Sequence, residues 1–530
     1  MNMRILQCLI ATSLLATSGL IYLTIKPKTH LVQNQEFMKS NVRNTDLSAN
    51  QGKFVSVKDF GAIGNNIADD TKAIQKAIDA VSQAGGGVVF FPRGTYKVTI
   101  NPATSQAIAI RAKVMLKGAD RQDSIIKLAD KQGNYDSVLA GETPASDLSD
   151  FSMYDLTIDS NGTNNPVASE ADFNNHRLRY AVRVYVGARI SIVRCKFIDQ
   201  SNMNVITVNG GDEYVADVSI NNNIFEQIGG GINDYDHSTI YGHGKRIQIS
   251  NNTFSSRNGA GTTGVRAAIE THGDEFIVKE NVISGYTYGM NITGYAKSSK
   301  NQSITDNVIK DAFIGMLIWS YFSNGNTTNP AIENCTIANN KISLNVNDWR
   351  RLSNDSPSTG IMLEANSDGP LKNLNIFNNQ ISFTNFSGAG RPSDSVATGI
   401  SLARNAAPTV VSENINISRN KIENSLAAGI YISMPIKQGN ISQNTIINPG
   451  QGSSDFHDAY KSGIIASGVF EEVQINENYL IDNQKNNTIK MGILLEGKCV
   501  GNCNAKGNDL QLDSNVKIEP LRSSWERVKP

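Results

Sequence analysis

Residues 278–309, VKENVISGYTYGMNITGYAKSSKNQSITDNVI, contain two copies of the short unit that decides the fold. The unit is an aliphatic residue, two variable residues, Asn, one variable residue, and then Ile, Phe or Leu. A second element, Gly-aliphatic-x-aliphatic, lies between copies, as in Gly289 to Ile292. Outside this stretch the same Asn recurs as Asn223, Asn252, Asn340, Asn379, Asn420, Asn444 and Asn478, and Cys195 takes its place in an earlier copy.

A repeat of about 20 to 50 residues is typical of a solenoid or repeat array. Short segments with alternating apolar residues, joined by Asn and Gly turns, indicate strands and not helices. Each repeat therefore predicts one coil of an all-β parallel β-helix, with ten to twelve coils in all. We expect the repeated Asn at a bend between strands, where stacked side chains bond from coil to coil and the backbone is left-handed.

Composition excludes several classes of protein. The 49 Lys and Arg balance 49 Asp and Glu in 530 residues, which argues against a nucleic-acid binder with a basic face. Five Cys are too few for a disulfide-stapled miniprotein. We expect Cys195 and Cys335 to be buried thiols, and Cys499 and Cys503 to form a local disulfide if the protein is exported.

The N-terminal sequence predicts a targeting or membrane-anchoring segment. Residues 5–25 form an uncharged run that is long enough to cross a bilayer as a helix. A cleaved signal peptide would look similar. Either interpretation places the rest of the chain in the periplasm or outside the cell, with residues 5–25 as a possible inner-membrane anchor. The predicted segments are a signal peptide or transmembrane anchor at 1–26, a linker at 27–52, the β-helix at 53–504 with a cap region at 53–100, and a tail at 505–530.

The region that follows reads VKDFGAIGNNIADDTKAIQKAIDAVSQAGGGVVFFPRGTYKV at residues 57–98. Apolar residues at three- and four-residue spacing predict a helix over 69–83, with Asp69 or Asp70 as its N-cap and Gly85 to Gly87 as its end. Because the end of a β-helix exposes unpaired strand edges, this helix is well placed to cap one end.

This opening strongly resembles that of the pectate-lyase-like superfamily. The resemblance implies a right-handed parallel β-helix and a polysaccharide as the usual substrate; relatives include rhamnogalacturonases, polygalacturonases, alginate C5-epimerases and phage tailspike depolymerases. Calcium serves some relatives, but no ligand motif is visible, so neither a metal nor another cofactor is predicted. Gly242-His243-Gly244 matches one polygalacturonase motif, yet the Asn-Thr-Asp motif is missing, so we interpret the triplet as turn chemistry.

Alternation along the strands predicts an outward column of side chains that crosses the coils. In this register the column contains Arg183 and Tyr185, Thr207 and Asn209, Asn233 and Tyr235, Ala268 and Glu270, Asn291 and Thr293, Leu317 and Trp319, and Met362 and Glu364. Acids and His gathered on adjacent coils suit acid/base chemistry, while Arg and aromatic rings suit sugars. The predicted catalytic residues are Glu270, Asp234, Asp236, His237 and His272. The predicted substrate-binding residues are Arg183, Tyr185, Tyr235, Arg266 and Trp319.

The sequence therefore predicts an exported enzyme, a lyase or a glycoside hydrolase, that acts on an acidic polysaccharide. The alternatives are a C5-epimerase and a non-catalytic surface β-helix that binds glycan or protein. The expected partners are the polysaccharide and, through the N-terminal segment, the membrane, with no nucleic acid.

Overall fold

The computed structural model of the chain describes residues 52–133, 135–166, 179–200, 204–210, 214–228, 237–256, 266–295, 299–321, 331–345, 358–365, 369–384, 397–403, 410–452, 460–484, 488–511 and 519–520. The predicted N-terminal anchor and the candidate residues Asp234, Tyr235 and Asp236 lie outside these ranges. Within them, no helix is both long and apolar enough to cross a membrane.

The strands form three parallel ladders, named here in the order in which one coil visits them. Ladder I contains β5 Gln106–Ile110, β8 Ser137–Gly141, β11 Tyr180–Val184, β14 Ile206–Asn209, the first half of β17 His237–Ser250, β19 Arg266–Asp274, β22 Tyr288–Tyr295, β26 Ile314–Tyr321, β30 Thr359–Ala365, β33 Ile400–Ala403, β36 Ile430–Ile432, β39 Ser462–Ala466, β42 Met491–Leu495 and β45 Glu519–Pro520.

Ladder II adjoins ladder I along the chain. It contains β1 Lys53–Ser56, β3 Gly87–Phe91, β6 Val114–Gly118, β9 Ser152–Tyr154, β12 Gly187–Val193, β15 Val215–Asn221, the second half of β17, β20 Ile277–Lys279, β24 Ser303–Thr305, β28 Thr336–Ala338, β31 Leu371–Phe377, β34 Ser412–Ser418, β37 Ile436–Ser442, β40 Val469–Asn476 and β43 Lys498–Val500, with the short strands β23 Ser299–Lys300 and β27 Ile332–Glu333 beside it.

Ladder III completes each coil and forms a separate sheet of 15 strands. It contains β2 Asn65–Asp69, β4 Gly94–Val98, β7 Ser124–Leu128, β10 Thr157–Asp159, β13 Lys196–Gln200, β16 Ile224–Ile228, β18 Thr253–Ser256, β21 Val282–Ser284, β25 Val308–Ala312, β29 Lys341–Asn345, β32 Gln380–Thr384, β35 Lys421–Glu423, β38 Thr445–Ile447, β41 Tyr479–Ile481 and β44 Asp509–Gln511.

This architecture confirms the predicted all-β parallel β-helix and corrects its extent. The 15 strands of ladder III exceed the ten to twelve coils expected, because the strands of the cap region also join the ladders. The predicted end at residue 504 is too early: β44 pairs with β41, and β45 pairs with β42. At about 4.8 Å per coil the rod is about 70 Å long.

The predicted capping helix is confirmed, with a later start. It spans Thr71–Gln83 (α1), follows a short 3-10 helix at Val57–Phe60, and buries Ile74, Ala77, Ile78 and Val81 against the first coils. Asp70 stands at the N-cap position, but its carboxylate accepts hydrogen bonds from the backbone N–H of Ile63 and Gly64, at 2.7 and 2.9 Å. This carboxylate therefore holds the preceding loop and does not cap the helix.

The repeated glycines of ladder I have a steric cause. A Cβ atom on Gly289 would lie 2.5 Å from the carbonyl oxygen of Gly315 on the next coil, and one on Gly315 would lie 2.4 Å from that of Gly360. Carbon and oxygen in contact need more than 3 Å, so only glycine lets successive coils approach this closely. The Gly-aliphatic element is thus a consequence of coil stacking.

The repeated Asn form a continuous buried ladder. The side-chain amide of Asn281 donates to the carbonyl of Ile249 and to Oδ1 of Asn307, both at 3.0 Å, and its own Oδ1 accepts from the backbone and side chain of Asn252. The same pattern runs from Cys195, whose N–H donates to Asn223, to Asn508, which the sequence analysis missed. The ladder was predicted correctly.

The conformation expected of the ladder Asn was wrong. The left-handed residue is the one before it in the chain: Glu280 has φ 57° and precedes Asn281, and Asp306 has φ 58° and precedes Asn307. The bend therefore needs one residue that tolerates a left-handed backbone and a second residue, the Asn, that satisfies the backbone groups the bend leaves unpaired.

The four cysteines of the β-helix behave as predicted. Cys195 and Cys335 are buried free thiols, and burial raises the pKa of each to about 12, which keeps them protonated. Cys499 and Cys503 form a disulfide that closes a turn beside β43.

Candidate active-site face on ladder I

The candidate site lies on the outer face of ladder I, where two columns of side chains cross the coils. The strand register pairs Arg183 with Thr207, Thr207 with Tyr241, Tyr241 with Glu270, Glu270 with Asn291, and Asn291 with Leu317. The second column pairs Asn209 with His243, His243 with His272, His272 with Thr293, and Thr293 with Trp319. Neighbours in a column are about 4.8 Å apart.

This register corrects the predicted column at two coils. Tyr241 and His243 occupy the places assigned to Asn233 and Tyr235, because β17 begins at His237 and its register with the neighbouring strands selects Tyr241 and His243. On the next coil Glu270 and His272 face outward together, in place of the expected pair Ala268 and Glu270, and Ala268 lies in the core.

A carboxylate and an imidazole form the buried centre of the face. Glu270 Oε1 lies 2.8 Å from Nε2 of His272, and Glu270 Oε2 accepts a hydrogen bond from the hydroxyl of Ser238. Glu270 is only 8% exposed and His272 only 5%. With both carboxylate oxygens engaged in this way, Glu270 fixes the imidazole in one orientation.

Two half-buried rings cover this pair. The ring of Tyr241 lies 4.9 Å, centroid to centroid, from that of His272, and the ring of His243 lies 5.6 Å from it. The phenol and the imidazole are thus more accessible than the buried pair beside them, so a sugar bound to this face can reach them. Neither residue was predicted as part of the site, and His243 belongs to the triplet interpreted as turn chemistry.

A polar cluster continues the face towards the C-terminus. Asn291 Oδ1 accepts hydrogen bonds from the indole N–H of Trp319 at 2.6 Å and from the hydroxyl of Thr293 at 3.2 Å. Because both donors hold the amide oxygen, the orientation of the Asn291 side chain is fixed. The half-buried Trp319 offers an aromatic surface of the kind that stacks on sugar rings.

An ion pair beside an aromatic ring lies towards the N-terminus. The guanidinium of Arg183 lies 3.0 Å from Asp136 and 5.0 Å from the centre of the Tyr185 ring. Burial raises the pKa of Asp136, and the charge of Arg183 acts in the opposite direction. The predicted association of Arg183 with Tyr185 on this face is therefore present.

The remaining predicted residues are placed less completely. His237 and Arg266 begin β17 and β19 and pair with each other in the register, but the positions of their side chains lie outside the described structure, as do Asp234, Tyr235 and Asp236. Glu270 itself pairs with His272 and Ser238. Among the described residues, no group of three His, Cys, Asp or Glu is arranged to hold a metal ion.

The geometry supports proton transfer by imidazole and phenol groups. Among the described side chains of the two columns between Arg183 and Trp319, Glu270 is the one carboxylate. A glycosidase with two catalytic carboxylates needs a second acid within about 5–10 Å. A reaction that removes a proton beside a carboxyl group needs instead a base, a proton donor and a group that binds the carboxylate.

The fold is a parallel β-helix with a polar face on ladder I, and comparisons show what the chain is similar to. Residues 54–244 match the family described as rhamnogalacturonase A/epimerase, pectate lyase-like, which confirms the resemblance seen in the sequence. In structure, the chain resembles the tailspike protein of E. coli bacteriophage HK620 in complex with a pentasaccharide, with TM-score 0.64 and 15% identity, over 87% of this chain and 80% of that one.

Sequence relatives match shorter segments. The mannuronan C5-epimerase AlgE5 of Azotobacter vinelandii is 38% identical over 122 residues, which is 23% of this chain and 12% of the epimerase. Alginate lyase 7 of the same organism is 34% identical over 188 residues, which is 31% of this chain and 21% of the lyase. Plasmin and fibronectin-binding protein A of Streptococcus pneumoniae is 62% identical over 45 residues, 8% of this chain and 6% of that protein. The chain thus spans about a fifth or less of these relatives' length.

Proposed function

We propose that this protein acts on a uronate-containing polysaccharide by removing the proton at C5 of a uronate residue, as a lyase or a C5-epimerase. The observation that carries the proposal is the cluster of Tyr241, His243 and His272 around a single described carboxylate, Glu270. The similarity to mannuronan epimerases and an alginate lyase supports the same class of substrate.

In the proposed reaction, Tyr241 and His243 contact the reacting sugar. One of them takes the C5 proton, and the electrons of that bond form the C4–C5 double bond while the glycosidic C4–O bond breaks. The leaving oxygen receives a proton from the other group. In the epimerase variant the C4–O bond stays intact, and C5 receives a proton on the opposite face of the ring.

The neighbouring residues bind and position the polysaccharide. Asn291, held through its oxygen by Trp319 and Thr293, offers its amide N–H groups to the reacting carboxylate. Arg183 lies two coils from Tyr241, about 10 Å away, so it binds the carboxylate of another sugar along the polymer. Glu270 and His272 lie below the sugar and act as positioning residues.

A direct assay tests the reaction. The full-length protein is incubated with polymannuronate, polyguluronate and polygalacturonate, with and without EDTA, and three signals are followed. We expect either new ultraviolet absorbance from an unsaturated uronate, which identifies a lyase, or altered uronate proton signals in the NMR spectrum without chain cleavage, which identifies an epimerase. New reducing ends without absorbance would contradict the proposal and indicate a hydrolase. Binding without any turnover would leave a glycan-binding β-helix.

We propose further that the protein is exported. The Cys499–Cys503 disulfide supports this, because such bonds persist in oxidising compartments. A fusion of residues 1–40 to a reporter that is active only outside the cytoplasm should be active, and a control fusion of residues 27–40 should be inactive. If the reporter stays in the cytoplasm with both fusions, export through this segment is refuted. Fractionation of the first fusion between membrane and soluble fractions distinguishes an anchor from a cleaved signal.

A further inference from the structure

The outer face of ladder II carries two columns of carboxamide side chains in its C-terminal half. In the bend column the amide of Asn334 donates to Asn301 at 3.0 Å, that of Asn373 to Asn334 at 2.8 Å, and that of Asn414 to Asn373 at 2.8 Å. In the strand column, two residues further along each strand, the amide of Asn416 donates to Asn375 at 3.3 Å and that of Asn440 to Asn416 at 3.0 Å.

The fold does not require amides at these positions. The bend column continues towards the N-terminus as ion pairs: Arg246 lies 2.6 Å from Asp217, and Arg189 lies 2.6 Å from Asp150. Arg189, Asp217 and Arg246 adopt the same left-handed backbone, φ 55–59°, as Asn334, Asn373 and Asn414, φ 53–56°. The same structural position is thus occupied by Arg–Asp ion pairs in the N-terminal half of the rod and by uncharged amides in the C-terminal half.

Hydrogen-bond accounting distinguishes these amides from the buried Asn ladder. In the buried ladder Asn281 donates with both amide hydrogens and accepts twice at its oxygen. Asn373 in the bend column donates to one neighbouring amide and accepts from another, and Asn416 in the strand column does the same. An Asn side chain has two N–H donors and two acceptor positions, so Asn373 and Asn416 each keep capacity for a ligand.

The two columns border a concavity of about 410 Å³, lined by Asn373, Asn375, Asn414, Ile415, Asn416, Gln438, Gly439, Asn440 and Glu472. This volume lies within the range of about 300–1,000 Å³ that is usual for small-ligand sites. Glu472 is the one charged residue of the lining, and Gln438 donates to it at 3.2 Å. The adjacent Lys437 pairs with Glu471 at 3.0 Å.

We propose that this concavity is a second carbohydrate site, which binds a neutral oligosaccharide. Amide groups offer a donor and an acceptor side by side, which matches pairs of neighbouring sugar hydroxyls, and the columns repeat these pairs about every 4.8 Å. No cation belongs to the described lining, so an anionic polyuronate finds no charged partner here. The site lies on a different ladder from Glu270 and His272, and it does not depend on the function proposed for them.

The test measures binding of named probes to the full-length protein by isothermal titration calorimetry. The probes are maltohexaose, cellohexaose, mannohexaose and, as the anionic comparison, hexamannuronate. We expect at least one neutral hexasaccharide to bind, and the variant Asn375→Ala/Asn416→Ala to weaken its binding at least tenfold. The matched control is Ser219→Ala/Gln248→Ala, which changes the same strand column in the N-terminal half and should leave binding unchanged.

The single variants test whether weaker binding is caused by a folding defect. Asn375→Ala and Asn416→Ala alone, each checked by thermal melting, should weaken binding by a smaller factor each. The proposal is overturned if no neutral probe binds, if binding survives the double variant, or if hexamannuronate binds at this face more tightly than the neutral probes. None of these results bears on uronate turnover at ladder I, because that activity is assayed separately with each variant.

Discussion

Glu270→Gln is expected to lower turnover of the uronate polymer by about 10²-fold or more while the β-helix stays folded. General acid–base catalysis contributes about 10²–10⁴-fold, and this substitution removes the carboxylate that holds the His272 ring beside Tyr241 and His243. Gln has nearly the same shape and can still accept a hydrogen bond from Ser238, so packing is preserved. The expected loss is therefore electrostatic and lies in kcat.

Separate measurement of kcat and KM distinguishes this role from a structural one. Without the carboxylate, His272 loses the partner that fixes its ring beside Tyr241 and His243, so kcat should fall while KM and the melting temperature stay close to wild type. A merely structural role would lower the melting temperature and leave kcat of the folded protein unchanged. Tyr241→Phe and His243→Gln should each reduce kcat by a similar or larger factor, since these residues contact the sugar in the proposed reaction.

Ser401→Ala is the matched control for Glu270→Gln. Ser401 lies on the same side of ladder I, next to Met362 and four coils from Glu270, and it is buried to a similar extent. We expect wild-type turnover for this variant. Full turnover in Glu270→Gln itself, with unchanged kcat and KM, would remove Glu270 from the mechanism and leave Tyr241 and His243 as the residues to test.

The sequence predicted the fold because its dominant signals are local. The repeated Asn is visible in single coils, and its side chain bonds to the equivalent position and to a backbone carbonyl on the neighbouring coils. The start of the capping helix was less accurate, since the Asp70 carboxylate binds Ile63 and Gly64 and not the first turn of the helix. A hydrogen bond from a loop to a side chain depends on the tertiary structure and leaves no periodic signal in the sequence.

The site was predicted only in part, because register across the coils depends on where each strand begins. β17 begins at His237, so assigning Asn233 and Tyr235 to that strand placed the wrong residues in the column. A usable signal was present: His243-Gly244 and His272-Gly273 are separated by the same number of residues as Asn252 and Asn281. Equal offsets from the Asn ladder would have placed both His on one column.

Asn281→Leu should reduce the free energy of unfolding by about 2–6 kcal/mol. The substitution leaves two buried groups without their partners: the backbone N–H of Asn252 and the carbonyl of Ile249. An unsatisfied buried polar group costs about 1–3 kcal/mol, and Leu offers neither a donor nor an acceptor to replace the amide. Asn307→Leu should behave in the same way, because it removes the equivalent bonds to Asn281 and Val278.

Asn440→Leu is the control that shows how much of the loss of stability in Asn281→Leu is due to burial. Asn440 also bonds to an amide on the neighbouring coil, but it is exposed, so water replaces the lost partners. Its expected effect is within about 0.5 kcal/mol. Urea denaturation gives the free energies, and amide hydrogen exchange shows whether protection is lost first in the coils beside residue 281, as expected when a solenoid coil contacts only its neighbours. Equal stability of the buried and exposed variants would mean that the bends are hydrated and that coil stacking, not the Asn ladder, holds them in place.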